Sequence, residues 1–282
     1  MKENKLLRGL CVLTAALMLG LTGCASSSDT NGSDAQSQAD TAEVQSAWTE
    51  LDQTTITKEM GMGWNLGNQL EASNAGIPSE TTWGNPTISE DLIKAVKEQG
   101  FKTVRIPVSY LDKIGAAPDY TIDSAWLDRV QEVVDYVVGN DLYAIINIHG
   151  DGYYTVDKSW LRCVDDNQDE IKDKYEKVWA QIADRFKDYD QHLIFESMNE
   201  ESDNTYGKPN ATGYENINAY NQIFVDTVRK TGSNNEKRWL LIPGWNTNIE
   251  YTAGNYGFVI PTDSGCKACL LYTSPSPRDY AA

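Results

Sequence analysis

From Met60 to Pro243, short apolar runs alternate with longer amphipathic stretches, and this rhythm restricts the fold more than any other feature of the chain. Parallel strands need crossovers long enough to hold a helix, so a repeated strand-then-helix pattern predicts an α/β protein with a parallel sheet. Strands are predicted at Met62 to Leu66, Thr103 to Val108, Tyr143 to His149, Leu193 to Met198 and Trp239 to Pro243. Between them, apolar residues recur every three or four positions, which predicts helices at Ile88 to Gln99, Asp123 to Gly139, Asp169 to Phe186 and Tyr214 to Lys230. Thr121 and Asp123 offer capping oxygens, and Gly100 and Gly139 sit at helix ends, where a residue able to take positive φ belongs.

Polar or reactive residues lie on or just after the predicted strands: Asn65, Asn68, Arg105, His149, Asn199, Glu200, Trp245 and Asn246. A ring of functional groups at the carboxyl ends of parallel strands is the arrangement of a (β/α)8 TIM barrel enzyme. Such a barrel takes eight strands and typically about 250 residues. Only about the first five β/α units are expected in this chain, over residues 51–263, and the sequence is expected to run out before a sixth strand.

Outside that span the chain changes character. Lys2, Lys5 and Arg8 precede the apolar run Leu10 to Leu21, the pattern of a secretory signal that is too short to span a membrane permanently. It ends in Leu21-Thr22-Gly23-Cys24, which resembles the bacterial lipobox, so residues 1–23 are expected to be a lipoprotein signal and Cys24 the lipidated residue. Residues 24–50, rich in Ser, Asp and Gln, cannot bury enough apolar surface to offset ordering and are expected to be a disordered tether. The predicted location is outside the cell, lipid-anchored at the bacterial surface or the outer face of a membrane. The net charge of -17 argues against nucleic acid and anionic bilayers as partners and leaves an uncharged polymer admissible. Membrane contact is expected only through a lipid on Cys24. Cys266 and Cys269 have C-x-x-C spacing without a second Cys/His pair, so no metal is implied. Residues 264–282 show no helical or strand period and are expected to be a non-native tail.

The segments GWNLGN (Gly63 to Asn68), VRIPVS (Val104 to Ser109), INIH (Ile146 to His149) and FESMNE (Phe195 to Glu200), in this order, resemble glycoside hydrolase family 5. They are most similar to its bacterial endo-β-1,4-glucanases and xyloglucanases. The resemblance implies a retaining mechanism with two carboxylates about 5 to 5.5 Å apart, one acting as acid then base and one as nucleophile, and no cofactor. It implies that Glu200 is the general acid/base and that Asn199 bonds the hydroxyl beside the reacting carbon. It implies too that Arg105 orients the nucleophile and His149 lines the cleaved bond; from their place on the rim, Asn68 and Trp245 are expected to be further substrate contacts. Many relatives carry a second His where this chain has Gly150. Glu196, Glu201 and Glu250 match no catalytic position, and Trp64, Trp83, Tyr153 and Trp160 are read mainly as packing or rim support. The family nucleophile lies at the end of a seventh strand, so it is expected to be absent here and the chain inactive as it stands. The partner expected is a β-glucan: cellulose-type, mixed-linkage glucan or xyloglucan. The alternative function is a non-catalytic, glycan-binding surface lipoprotein.

Overall fold

The computed structural model describes residues 48–205 and 207–263, and the backbone of 269–272. The expected signal, Cys24 and most of the tether lie outside the described residues, as does most of the expected tail. Residues 48–50, taken from sequence as the end of the tether, sit on the domain: the Thr49 N–H donates to Gln191 Oε1 at 2.9 Å.

Helix α1 (Gln53–Met60), capped by Asp52 through the Thr55 N–H, leads into strand β1 (Gly63–Asn65). A hairpin of β2 (Ser73–Asn74) and β3 (Ile77–Pro78) follows. Its turn residues, Ala75 and Gly76, both have positive φ, at 50° and 75°, as a primed hairpin turn requires. Strand–helix pairs then alternate: α2 (Glu90–Glu98) and β4 (Thr103–Ile106), α3 (Ser124–Val138) and β5 (Tyr143–Asn147), α4 (Gln168–Arg185) and β6 (Leu193–Glu196), α5 (Ala211–Lys230) and β7 (Leu240–Pro243). A short α6 (Ile249–Ala253) precedes β8 (Cys269–Tyr272). The main sheet is parallel in the order β1-β4-β5-β6-β7-β8.

The expected strands and helices are found, with boundaries shifted by a few residues, and the expected end of the sheet is corrected. The chain does not stop at five strands: Leu240–Pro243 pairs in register with Cys269–Tyr272, inside the segment read as patternless. A run of four residues is too short to display a period, and its pairing partner lies 29 positions earlier. Gly139 is also corrected. Its φ is -62°, and the left-handed residue ending that turn is Asp141, at 55°. Gly100 takes the expected positive φ, 91°. Asp123 caps α3 through the Ala125 and Trp126 N–H groups.

Side chains alternate across each strand, and the two faces bury different cores. On the outer face Val104, Ile106, Ala144, Ile146, Leu193, Phe195, Leu240 and Ile242 pack under the helices with Val130, Val134, Trp179, Ile182 and Phe224. On the inner face Tyr143, Ile145, Ile194, Trp239 and Leu241 cluster with Ile56 of α1, which plugs the lower end. Nested strand–helix units with an inner and an outer core form an open section of a (β/α)8 barrel. The inward amides and charged groups, Asn65, Arg105, Asn147 and Glu196, lie toward the upper end of the strands, where the site lies.

Candidate active site

Arg105 lies between Val104 and Ile106, both turned to the helices, so its own side chain points into the barrel. Glu196 follows Phe195 and points in by the same alternation. They meet as a forked pair: Arg105 Nε donates to Glu196 Oε2 at 2.7 Å and Nη2 donates to Oε1 at 2.6 Å. The guanidinium also donates from Nη1 to Asn65 Oδ1 at 3.0 Å and from Nη2 to Asn199 Oδ1 at 2.8 Å. One cation thereby ties the ends of β1, β4 and β6 together. Glu196 is fully buried, which is tolerable only because both oxygens are paired.

Asn147, at the end of β5, carries the network to His149. Its Oδ1 accepts from the Val108 N–H at 3.3 Å, so its Nδ2 is the donor to Glu196 Oε1 at 3.2 Å and to His149 Nδ1 at 3.3 Å. His149 therefore carries its proton on Nε2. Burial, and then the Arg105 cation, hold its imidazole well below the usual range, so it is neutral at pH 7.

Glu200 lies just beyond β6, on a cavity of about 510 Å³ whose walls include Trp64, Asn65, Arg105, His149, Tyr153, Asn199 and Thr247. The Tyr153 hydroxyl donates to Glu200 Oε2 at 3.3 Å and accepts from Asn199 Nδ2 at 2.5 Å. A carboxyl bonded by a phenol hydroxyl, in a cavity shared with an amide and a neutral imidazole, can deliver a proton to a bound neutral polymer. Among the described residues lining the cavity, Glu200 is the one carboxylate.

Glu201 is not among the cavity walls. It is buried against Gly152, where an added Cβ would lie 1.7 Å from Glu201 Oε2. Burial, followed by the charges of Asp151 and Glu200, pushes its carboxyl well above the usual range. Glu250 lies on α6 and accepts from Tyr256 at the surface.

The other expected site residues divide. Arg105, His149, Asn199 and Glu200 come together around the cavity. Asn68 is in a turn at φ 65°; its N–H donates to Glu71 and its carbonyl accepts from Asn85. It is not among the cavity walls, where Asn65 stands instead. Trp245 is a correction: it is fully buried, its Nε1 donates to the Gly207 carbonyl at 3.3 Å, and its ring packs on Tyr214. No sugar can stack on it without unpacking the loop after β7. Trp160 is support, donating to Asp151 Oδ1 at 2.7 Å. Gly150 packs on Ser109: a Cβ there would lie 2.5 Å from the Ser109 hydroxyl oxygen, which leaves no room for the second His of relatives.

Two contributors were missed. Glu196 had one legible signal, a charge inside the apolar strand LIFE, which obliges it to find a partner. Tyr153 had none beyond being aromatic near His149.

The sequence profile described as cellulase (glycosyl hydrolase family 5) matches residues 66–273. An endoglucanase A from Paenibacillus barcinonensis is 64% identical over 209 residues, covering 74% of this chain and 52% of that protein. A xyloglucan-specific endo-beta-1,4-glucanase from Bacteroides ovatus is 39% identical, covering 76% of this chain and 43% of its own length. The chain thus spans about half the length of the curated relatives it matches. Among solved structures, a family 5 xyloglucanase from Paenibacillus pabuli superposes with a TM-score of 0.74 at 64% identity, covering 74% of this chain and 58% of that one. A GH5-4 broad specificity endoglucanase from Ruminococcus champanellensis, with cellotriose bound, superposes at 0.76 with 41% identity, covering 82% and 68%. With its open barrel and its Asn199–Glu200 pair at the end of β6, the chain belongs to glycosyl hydrolase family 5, the cellulases.

Proposed function

We propose that this chain carries the acid/base side of a retaining endo-β-1,4-glucanase that acts on cellulose-type glucan, mixed-linkage glucan or xyloglucan. The observation that carries the reading is Glu200 on the cavity wall, hydrogen-bonded by the Tyr153 hydroxyl, with Asn199 and the neutral His149 lining the same cavity. In the first step Glu200 gives its proton to the glycosidic oxygen as the bond to the anomeric carbon breaks, and Asn199 holds the neighbouring hydroxyl. A second carboxylate about 5 to 5.5 Å away captures the sugar, and Glu200 then deprotonates the water that releases it. Glu196 is committed to Arg105 and is not that carboxylate. Hydrolysis therefore needs a nucleophile that the described residues do not supply. Lipid on Cys24 would hold the domain at the outer face of a membrane, and Cys24→Ser should shift the protein from the membrane fraction to the soluble one.

The test is electrophoresis in gels containing each glucan, paired with an assay for released reducing ends. Retardation by a β-1,4-linked glucan, retained in Glu200→Gln, is expected; no retardation by all three overturns the substrate class. Reducing-end release that survives Glu200→Gln would remove Glu200 from the acid role.

A further inference from the structure

We propose that Tyr153 is a positioning residue that decides which oxygen of Glu200 bears the transferable proton. The proposal rests on the reading of Glu200 as acid/base. Its basis is a run of three hydrogen bonds, from Arg105 to Asn199, from Asn199 to Tyr153 and from Tyr153 to Glu200, each with its donor and acceptor assigned. A guanidinium only donates, so the Asn199 atom 2.8 Å from Arg105 Nη2 is Oδ1. Asn199 Nδ2 is then turned to the other side, 2.5 Å from the Tyr153 oxygen. An amide nitrogen cannot accept, so the phenol oxygen accepts there and directs its own proton at Glu200 Oε2, 3.3 Å away. Oε2 is thereby an acceptor, which leaves Oε1 to bear the proton in the acid form. When the Oε1–H bond breaks and the proton passes to the glycosidic oxygen, Tyr153 still donates to the carboxylate left behind.

The phenol is well placed to act this way because its backbone is pinned. It follows the turn Gly150–Gly152, whose buried Asp151 accepts from the Tyr110 and Leu111 N–H groups and from Trp160 Nε1. The ring meets His149 edge-on, with centroids 6.1 Å apart. The far end of the run is anchored by the Arg105–Glu196 pair, so the orientation imposed on Glu200 originates in a buried carboxylate on the same strand end.

The test is carbon NMR of the protein labelled at tyrosine Cζ, with the Tyr153 line assigned by its loss in Tyr153→Phe. Removing the acceptor in Glu200→Ala should move that line one way, and removing the donor in Asn199→Ala should move it the other way. In the unaltered protein the line should follow a carboxyl titration that disappears in Glu200→Gln, which also serves if the Ala variant does not fold. A Tyr153 line indifferent to Glu200, or displaced in the same direction by both variants, overturns the proposal. The readout needs neither glucan binding nor turnover. A failure of the relay would leave the glucanase reading standing, and loss of glucan retardation would leave the relay standing.

Discussion

The guanidinium of Arg105 on β4 and the carboxylate of Glu196 on β6 meet through two parallel bonds of 2.7 and 2.6 Å, reaching past the intervening strand β5. Removing Arg105 leaves Glu196, which is fully buried, without its counter-charge, and this costs about 3–5 kcal/mol. Arg105→Met should lower the stability by that amount in urea denaturation. Pairing it with Glu196→Ala should cost less than the two single changes added together. A loss below about 1 kcal/mol in the single variant, the range of an exposed pair, would contradict this account.

The two histidines of the chain should titrate on opposite sides of the reference value of about 6.5. Burial and Arg105 lower His149, whereas a hydrogen bond to Asp190 at 3.1 Å raises His192. As pH falls below about 6.5, the unfolded chain takes up a proton that folded His149 refuses, so stability is lost. His192 contributes stability that is fully present below about 6.5 and is lost as pH rises through its higher folded value. Nitrogen NMR of the imidazoles should show His149 neutral and His192 still protonated at a common pH near 6.5. His149→Gln should remove an acid-side loss, and His192→Gln an acid-side gain.

Glu201 offers a test at higher pH. Its carboxyl stays protonated in the fold but ionises in the unfolded chain above about 4.3, so stability falls as pH rises from there toward the folded value. Glu201→Gln should be more stable than the natural chain at pH 8 and nearly equal to it at pH 4, as read from denaturation midpoints. Gly152→Ala should instead cost about 1–3 kcal/mol, because the methyl group would occupy the space of the Glu201 carboxyl.

Trp245 and Trp64 should separate packing from binding. Trp245→Ala empties a fully buried site and should cost about 3–5 kcal/mol of stability, while Trp245→Phe keeps glucan retardation intact. Trp64 lines the cavity, and Trp64→Ala should weaken retardation about two- to tenfold, from the about 0.5–1.5 kcal/mol that an aromatic contact contributes.

What was legible in the sequence follows the range of the interactions involved. Strands with β-branched runs and helices with a broad apolar stripe, such as α3 with Val130, Val133, Val134 and Val137, announce themselves locally. Helix α1 does not, since Ile56 is its one buried residue and its place is earned by plugging the barrel. The hairpin β2–β3 has two residues per strand, too few for a period. Motif order pointed to Arg105, His149, Asn199 and Glu200, but partners are a matter of distance in space: Arg105 and Glu196 are 91 positions apart. Trp245 was misplaced for the same reason. A residue just after a strand reads as rim, and only the packing of Gly207 and Tyr214 against it turns it into core.

The forked pair also acts as a proofreader of assembly. Arg105 reaches Glu196 only when β4 and β6 are each aligned with β5, which faces Arg105 with Ile145 and Glu196 with Asn147. A slip of one residue in either strand would swing one charge to the helix side of the sheet, into the Val104, Ile106 and Phe195 layer. A misaligned sheet would therefore keep much of its backbone bonding and still be rejected on electrostatic grounds. The residues that shape the site for chemistry thus help to select the one alignment in which the site exists.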